Sequence, residues 1–346
     1  MSAREDGDNL PERTRTPSTI VGELDQYVIG QDDAKRTLAV AVYSHFRRIA
    51  PERPDRVVVA KSNVLLIGPS GTGKTLACAT LARILGVPFA SADATTLVQS
   101  RYVSEEIEAI LARLVDKAGG DVGAAGRGIV FIDEVDKLKA DEGGQRGISG
   151  ESVQHALLKI MEGALVRVGD GRYLDTTDVL FVCSGAFAGL DAIMTRADNY
   201  GFIATSADDN QRILERLNAR VKPTDLLRFG LIPEFTGRLP VVARFEPLDK
   251  RLLVRVMTEP RDSLYAQFRE LYRNEGVELV IAPSAFEQVA DLALGYKTGA
   301  RSLRGLLEEL LTPALYRVPD DPGIAKVVVT SIFREPVLVR REARTA

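Results

Sequence analysis

A glycine-rich segment restricts what this 346-residue chain can fold into more than any other part of it. The segment, Gly68-Pro69-Ser70-Gly71-Thr72-Gly73-Lys74-Thr75, fits the pattern G-x-x-x-x-G-K-[ST] of a phosphate-binding loop. It follows a short apolar run at residues 63–67, typical of a buried strand, and precedes a helical pattern over residues 74–85. In this context, backbone N–H groups and a helix N-terminus bind phosphate oxygens. We therefore expect Lys74 to contact the β- and γ-phosphates of a nucleotide, and the Thr75 hydroxyl to bind Mg²⁺.

A second apolar run supplies the carboxylates that such a site requires. Residues 128–132 have the pattern of a buried strand, which ends in Asp133 and Glu134. Ligands of open parallel sheets bind at the carboxyl ends of the strands, so we expect Asp133 to hold the Mg²⁺. Glu134 is then placed to orient or deprotonate an attacking water. The expected ligands are ATP and Mg²⁺, and the expected reaction is ATP hydrolysis.

The order of strand and helix patterns predicts two domains. Strands alternate with helices over residues 18–247, as in a parallel sheet flanked by helices, with a further buried strand at residues 179–183. Helices dominate residues 248–335, which predicts a smaller α+β domain. Two short strands are expected in this smaller domain, at residues 277–281 and 327–329. Residues 1–17 and 336–346 are expected to be tails.

The composition excludes several classes of protein. Hydrophobic residues make up 45% of the chain and charged residues 27%, a balance typical of globular proteins rather than disordered or fibrous ones. The net charge of −3 provides no general attraction to nucleic acid or membranes. No apolar run approaches the roughly 20 residues of a membrane span, and the N-terminal segment lacks the apolar core of a secretory signal. We therefore expect a cytoplasmic protein.

Cysteine and histidine are too rare for two further kinds of site. The chain has two of each, which predicts neither a disulfide framework nor a zinc module, and no zinc is expected. Cys78 and Cys183 are expected to be small buried residues. Asp136 and Lys137 follow the second motif and are expected at a solvated helix start. No nucleophile constellation indicates an intrinsic peptidase.

Beyond the two nucleotide motifs, the chain resembles the ClpX protein-unfoldase family of AAA+ ATPases from about residue 18 to 320. The resemblance is carried by further stretches at residues 24–31, 149–163, 185–190, 229–240 and 299–304. The related HslU unfoldases share the start of this pattern, but the chain has no room for their long insertion after the second ATPase motif. The resemblance implies a large AAA+ P-loop domain followed by a small C-terminal lid domain.

The resemblance also implies a homohexameric ring with ATP at the subunit interfaces. Val28 and Ile29 match the family's adenine-contacting pair. Arg238 matches the arginine finger, which reaches the γ-phosphate on the neighbouring subunit. Arg301 matches the second sensor, which contacts nucleotide in its own subunit. Because positioned cations stabilise the charge on a transferring phosphoryl group, both arginines are expected to act with Glu134 in hydrolysis.

Two loops of the family contact a translocating polypeptide. Tyr102 and Val103 match the aromatic–aliphatic pair of the pore loop, whereas Arg101 and Ser104 replace the glycines that flank this pair. Arg146, Ser149 and Glu151 match the second pore loop. The tyrosine ring grips a chain by bulk, without need for a particular sequence.

Other family features are altered or have no counterpart in the sequence. Tyr200-Gly201-Phe202 aligns with the loop that docks on the ClpP peptidase, and its tyrosine replaces an aliphatic residue. The family's zinc-binding N-terminal domain has no counterpart, so adaptor docking through it is not expected. The basic pore-entrance loop is shortened to residues 169–173. Ser184 stands at the position of the first sensor.

The leading hypothesis is an ATP-driven unfoldase that threads substrate polypeptides through a hexameric pore. It acts either as the specificity subunit of a Clp-type protease or as a stand-alone remodelling factor. An alternative is a ring that changes shape on ATP binding without threading anything. A nucleic-acid motor is disfavoured because the charge balance is acidic and basic residues form no concentrated patch.

Overall fold

The computed structural model describes residues 15–50, 60–100, 102–139, 150–169, 171–197 and 220–341. Contacts divide the chain into two compact units. The large unit comprises Met1–Val21, Asp33–Ile67 and Cys78–Arg244. The small unit comprises Gly22–Asp32, Gly68–Ala77 and Phe245–Ala346. The phosphate loop therefore groups with the C-terminal part of the chain, although β1, the strand that leads into it, belongs to the large unit.

Helices and strands alternate along most of the described chain. The helices are α1 (Pro17–Leu24), α2 (Asp32–Ile49), α3 (Lys74–Leu85), α4 (Ala94–Gln99), α5 (Val103–Lys117), α6 (Val122–Ala125), α7 (Gly150–Glu162), α8 (Leu190–Ala197), α9 (Pro223–Phe229), α10 (Pro233–Gly237), α11 (Lys250–Thr258), α12 (Leu264–Asn274), α13 (Pro283–Tyr296) and α14 (Leu303–Arg317). The strands are β1 (Val64–Ile67), β2 (Phe89–Asp93), β3 (Ile129–Asp133), β4 (Leu165–Arg167), β5 (Tyr173–Asp175), β6 (Leu180–Gly185), β7 (Val241–Arg244), β8 (Glu278–Ile281), β9 (Ile324–Val329) and β10 (Val337–Arg340).

The large unit is built on a five-stranded parallel sheet of order β2-β3-β6-β1-β7. Every residue of β1 and β6 is buried, as expected where both faces of a parallel sheet are covered. Leu65 and Ile67 pack in one core cluster with residues of α5 and α7. The alternate residues Val64 and Leu66 are fully buried on the other face. The prediction of a parallel α/β sheet flanked by helices is confirmed.

Most predicted elements of the large unit are found within two residues of their expected bounds. The helix predicted over residues 74–85 is α3, and the three predicted strands are β1, β3 and β6. Two strands of the sheet, β2 and β7, were missed. The sequence of β2 reads FASAD, whose small and polar residues lack the apolar run that revealed the other strands.

The small unit combines four helices with a sheet of order β10-β9-β8. The helix α11 starts at the predicted cap, where Asp249 Oδ1 accepts a hydrogen bond from Leu252 N at 2.7 Å. The Tyr272 ring is fully buried, and its hydroxyl donates to the carbonyl of Leu311 at 3.2 Å. The α+β character predicted for this part of the chain is therefore confirmed.

One boundary prediction is wrong. Residues 336–346 were expected to be a tail, but Val337–Arg340 form β10, which pairs antiparallel with β9. The strand lies at a sheet edge and three of its four residues are exposed, so its sequence shows little of the burial pattern of a strand. Pairing with β9, rather than local pattern, orders this segment.

No helix within the described ranges has the length and apolar character needed to cross a bilayer.

A buried basic cluster lies near the end of α2 in the large unit. His45 is 4% exposed, and its Nε2 lies 3.0 Å from the carbonyl oxygen of Asp178. Burial, reinforced by the charge of Arg48, lowers the pKa of His45 to about 3. Burial and Arg48 likewise lower the pKa of Lys61 to about 7, against the opposing effects of Asp178 and Asp175. The His45 ring is therefore neutral in the folded protein.

This arrangement predicts a pH-dependent stability. Below pH 6.5 the unfolded chain protonates His45 while the folded chain does not, so the free energy of unfolding decreases as the pH falls toward 3. We expect His45→Gln to remove about 3 kcal/mol of the decrease between pH 6.5 and 4. Urea unfolding at several pH values measures this. The exposed His155 provides the control, since His155→Gln should follow the wild-type curve. Parallel curves for wild type and His45→Gln would refute the assignment.

Candidate nucleotide site

The phosphate loop joins the end of β1 to the first residue of α3. Lys74 is 8% exposed, and its Nζ donates hydrogen bonds to the carbonyls of Gly68 at 2.5 Å and Pro69 at 2.9 Å. The Thr72 hydroxyl also donates to the carbonyl of Pro69, at 2.9 Å. Thr75 is exposed in the first turn of α3, which contains no acidic residue. A lysine at the first position of a helix whose first turn has no acidic residue fits a phosphate-binding loop.

A turn of the small unit packs directly against this loop. Ala300 N donates a hydrogen bond to the carbonyl of Gly71 at 3.1 Å. A Cβ at Gly71 would lie 2.3 Å from the carbonyl oxygen of Thr298, and one at Gly299 would lie 2.7 Å from that of Ser70. Both glycines have a positive φ, +76° and +58°. Only residues without a side chain allow the two backbones to approach this closely.

Arg301 lies within this turn, in the 3₁₀ helix Gly299–Ser302, and is exposed. The hydrogen bond from Ala300 therefore places Arg301 one residue from a direct contact with the phosphate loop. The role of Arg301 toward nucleotide stays a prediction.

Val28 and Ile29 lie in the turn after α1 and are 3% and 8% exposed. The Val28 Cγ1 atom is 3.9 Å from the position that a Cβ of Gly73 would occupy, so this apolar pair borders the phosphate loop. Gln31 anchors the turn: its Nε2 donates to the carbonyl of Glu246 at 2.8 Å, and its Oε1 accepts from the N–H of Glu246 at 2.7 Å. The sequence analysis included Gln31 in the family stretch at residues 24–31, but it did not predict the hydrogen bonds of Gln31 to the backbone of Glu246.

The carboxylates of the second motif lie in the large unit, where β3 ends. Asp133 is the last residue of β3, and its Oδ1 accepts a hydrogen bond from Glu134 N at 3.0 Å. Glu134 has φ 60° and ψ 31°, the left-handed region that a residue with a side chain rarely adopts. Such a conformation costs on the order of 1–3 kcal/mol and is concentrated at functional sites. The turn projects Glu134 from the carboxyl edge of the sheet.

The expectation of a solvated helix start is wrong for Asp136, whereas Lys137 is exposed as expected. Asp136 is 5% exposed, and its carboxylate accepts hydrogen bonds from Ala186 N at 3.3 Å and Phe187 N at 3.2 Å. It therefore ties the 3₁₀ turn that carries Glu134 to the loop after β6. The signal was absent from the local sequence because both partners lie about fifty positions further along the chain.

Ser184 and the two cysteines are buried in the large unit. Ser184 is opposite Leu66 of β1, and its hydroxyl has no hydrogen-bond partner among the residues that the structure describes. Buried hydroxyl groups without a hydrogen-bond partner are uncommon in folded proteins. Cys78 and Cys183 are buried, as predicted. Burial raises the pKa of both thiols, that of Cys183 to about 12, so neither is a reactive thiolate.

Arg238 lies at the opposite, amino-terminal edge of the sheet. Its carbonyl accepts a hydrogen bond at 3.1 Å from Nδ2 of Asn63, the residue that precedes β1. The four residues of β1 span about 13 Å, which separates this edge from the carboxyl edge where Asp133 lies. The half-exposed guanidinium pairs with Glu162 at 2.6 Å.

Of the residues predicted to contact other polypeptides, three lie within the described part of the chain: Tyr102, Val103 and Glu151. Glu151 is exposed in the first turn of α7. Tyr102 is 62% exposed and directly precedes α5, whereas Val103 is half-buried and packs against the core. The predicted docking residues Tyr200, Gly201 and Phe202 lie outside the described residues, as do Arg101, Arg146 and Ser149.

Comparison with known proteins identifies the family to which a chain with these two motifs belongs. A protein-family model described as AAA domain (Cdc48 subfamily) matches residues 59–242. A Methylococcus capsulatus protein named ATP-dependent Clp protease ATP-binding subunit ClpX 3 is 45% identical over 94% of this chain and 82% of its own length. ClpX subunits of Azotobacter vinelandii and Borrelia duttonii are 46% and 42% identical, over 93% and 92% of the chain and 78% of their own lengths.

A parallel sheet with a phosphate loop after β1, within a matched AAA domain, defines the protein as an AAA+ ATPase. The class implies that the protein binds nucleotide, and Gly68–Thr75 stay the residues predicted to hold the phosphates. Within this class, the chain belongs to the ClpX family, because it is similar to ClpX proteins over more than nine-tenths of its length.

The contact between the phosphate loop and the turn at Gly299 leads to a prediction. We expect Gly299→Ala to weaken ATP binding at least tenfold, because the added Cβ forces the turn away from Ser70 and strains a left-handed residue. Isothermal titration with a non-hydrolysable ATP analogue measures the affinity. Gly305→Ala is the matched control, since a Cβ there meets nothing within 4 Å in α14. Equal affinity in the two variants would contradict the proposed closeness of loop and turn.

Proposed function

We propose that this chain is an ATP-dependent protein unfoldase that acts as a homohexameric ring and threads substrate polypeptides through its central pore. Its similarity to ClpX subunits carries this proposal, because it covers more than nine-tenths of the chain and therefore includes both the nucleotide motifs and the pore residues. By the same similarity, the chain would serve as the ATP-binding subunit of a Clp-type protease.

The chemistry of the proposed reaction is phosphoryl transfer to water. When bound, MgATP supplies the γ-phosphoryl group, whose bond to ADP breaks as water attacks the phosphorus. Lys74 and the N–H groups of the phosphate loop hold the phosphates, while Thr75 and Asp133 would hold the Mg²⁺. Glu134 orients the water and takes its proton, so that ADP and inorganic phosphate are released.

The two arginines divide the nucleotide site between subunits. Arg301 belongs to the turn that contacts the phosphate loop of its own small unit. Arg238 lies at the amino edge of its sheet, away from the edge where β3 ends, and this position suits a finger that acts on the neighbouring subunit. Because each active site takes one arginine from each side, its rate depends on how neighbouring subunits are arranged.

Substrate polypeptides would be gripped by Tyr102. The Tyr102 side chain is exposed at the start of α5, and Val103 anchors the same turn to the core, so force on the tyrosine is transmitted to a packed helix.

A second loop is proposed to dock on a ClpP-type peptidase through Tyr200, Gly201 and Phe202, with Phe202 filling an apolar pocket. This docking would make the ring the unfolding component of a protease, whereas a ring that does not dock would act as a remodelling factor.

Substituting Glu134→Gln tests the catalytic proposal. We expect ATP turnover to fall by at least a thousandfold, because an amide cannot accept the proton of the attacking water. Nucleotide affinity should change little, since Lys74 and the loop are intact. Phosphate release and analogue titration measure the two quantities. Glu278→Gln, on the exposed side of β8, should leave both unchanged. Persistent hydrolysis in Glu134→Gln would rule out its role.

Substituting Tyr102→Ala tests the threading proposal. We expect a loss of at least tenfold in the unfolding rate of a stable protein fused to an unstructured tail, with ATP hydrolysis retained, because the grip is lost but the nucleotide site is not. Loss of fluorescence from a folded fluorescent substrate measures unfolding. Tyr316→Ala removes a tyrosine that is 80% exposed in the small unit and should have no effect. Equal unfolding by Tyr102→Ala and wild type would favour a ring that does not thread.

A further inference from the structure

The proposed arginine finger is bound by a glutamate of its own subunit. Two N–H donors of Arg238 converge on one carboxylate oxygen, Oε1 of Glu162, from Nη2 at 2.6 Å and from Nε at 2.9 Å. The two side chains are 51% and 43% exposed. A guanidinium has five N–H donors, so three remain for another anion. The pair therefore holds the arginine without using all of its donors.

The backbone of Arg238 is anchored independently of this ion pair. Its carbonyl accepts a hydrogen bond from Asn63, whose side chain is 1% exposed, and its N–H donates to the carbonyl of Phe235 at 3.1 Å. The Oδ1 of Asn63 accepts from the N–H of Phe181 in β6 at 3.3 Å. A buried amide thus connects the residue after α10 to the central sheet.

The end of α7, which carries Glu162, is also held by a hydrogen-bonded side chain. It is the last residue of α7, and the fully buried Thr176 caps that end. The Thr176 hydroxyl donates to the carbonyl of Ile160 at 2.8 Å and accepts from the N–H of Ala164 at 2.9 Å. The helix end that carries Glu162 and the residue that carries the guanidinium are therefore both fixed.

The sizes of two effects indicate that this ion pair orients the Arg238 side chain rather than stabilising the fold. An exposed ion pair contributes little to stability, so its loss does not unfold the protein. An unrestrained arginine side chain loses rotamer entropy when it is ordered at a reaction centre. An ion pair that already restricts the rotamers lowers that cost before the nucleotide arrives.

We propose that Glu162 is the positioning residue of the arginine finger. It holds the Arg238 guanidinium at the surface, in the orientation in which its remaining donors meet the γ-phosphate on the neighbouring subunit. The proposal rests on the proposed function, because it requires Arg238 to act across a subunit interface.

The test measures steady-state ATP hydrolysis by the full chain carrying Glu162→Gln. We expect kcat to fall at least tenfold, since a misplacement of about 1 Å can lower a rate by on the order of a hundredfold. The KM for ATP should stay within twofold, because the phosphate loop is unchanged. Glu162→Asp, which keeps the charge with a shorter reach, should recover part of the loss. In an Arg238→Ala background, Glu162→Gln should cause no further decrease.

A second exposed ion pair provides the matched control. Arg255 Nε binds Glu259 Oε2 at 2.8 Å with side chains 41% and 47% exposed, so Glu259→Gln removes a similar contact away from the finger. Its kcat should equal that of wild type. Thermal unfolding and light scattering are measured for each variant, and we expect Glu162→Gln to match wild type in unfolding midpoint and in oligomeric state.

Several outcomes would overturn the positioning role. An unchanged kcat in Glu162→Gln would show that the contact is incidental, and a raised kcat would show that it restrains the finger instead. A similar loss in the Arg238→Ala background, or loss of the oligomer in Glu162→Gln, would show that Glu162 acts through assembly or structure. Full hydrolysis by Arg238→Ala would instead refute the assignment of the finger itself, and with it the function of this pair.

Discussion

Parallel pairing of β1, β3 and β6 is the constraint on which the rest of the large unit depends. Because the three strands run in one direction, their carboxyl ends lie at the same edge of the sheet. Asp133 and Ser184 lie at this edge, and the phosphate loop begins where β1 ends there. Hydrophobic burial sets this register, since a shift of one residue would turn the apolar side chains of a strand to the opposite face. The left-handed backbone at Glu134 directly follows β3, and the surrounding sheet holds this strained conformation in place.

Within the small unit, the phosphate loop and the turn at Gly299 contact each other through backbone atoms. Gly71 and Gly299 let the phosphate loop and the turn before Arg301 come within hydrogen-bond distance. A displacement of either backbone would strain this hydrogen bond, so the loop and the turn hold each other in place.

The two edges of the sheet carry different functions. The carboxyl edge holds the side chains proposed to act on the chain's own nucleotide, whereas the amino edge holds Arg238 through Asn63. The four-residue strand β1 keeps these groups apart, and this separation supports the proposal that Arg238 acts on the nucleotide of a second copy of the chain. Glu162 then belongs to the same edge as the finger and prepares it for the neighbour, as proposed.

Much of the fold and of the nucleotide site was predictable from the sequence alone. Local patterns revealed the phosphate loop, Asp133 and Glu134, α3 and the three central strands, because continuous apolar runs and glycine spacing are properties of short segments. The sequence also determined the family through motifs spread over the chain. Only the tertiary structure decided that Asp136 is buried against Ala186 and Phe187, that β10 is a strand, and that Glu162 pairs with Arg238. The contacts of Asp136 and Glu162 join residues 50 or more positions apart, and such contacts leave no periodicity in the sequence. The strand β10 is an exposed edge strand, so its sequence lacks the apolar pattern of a buried one.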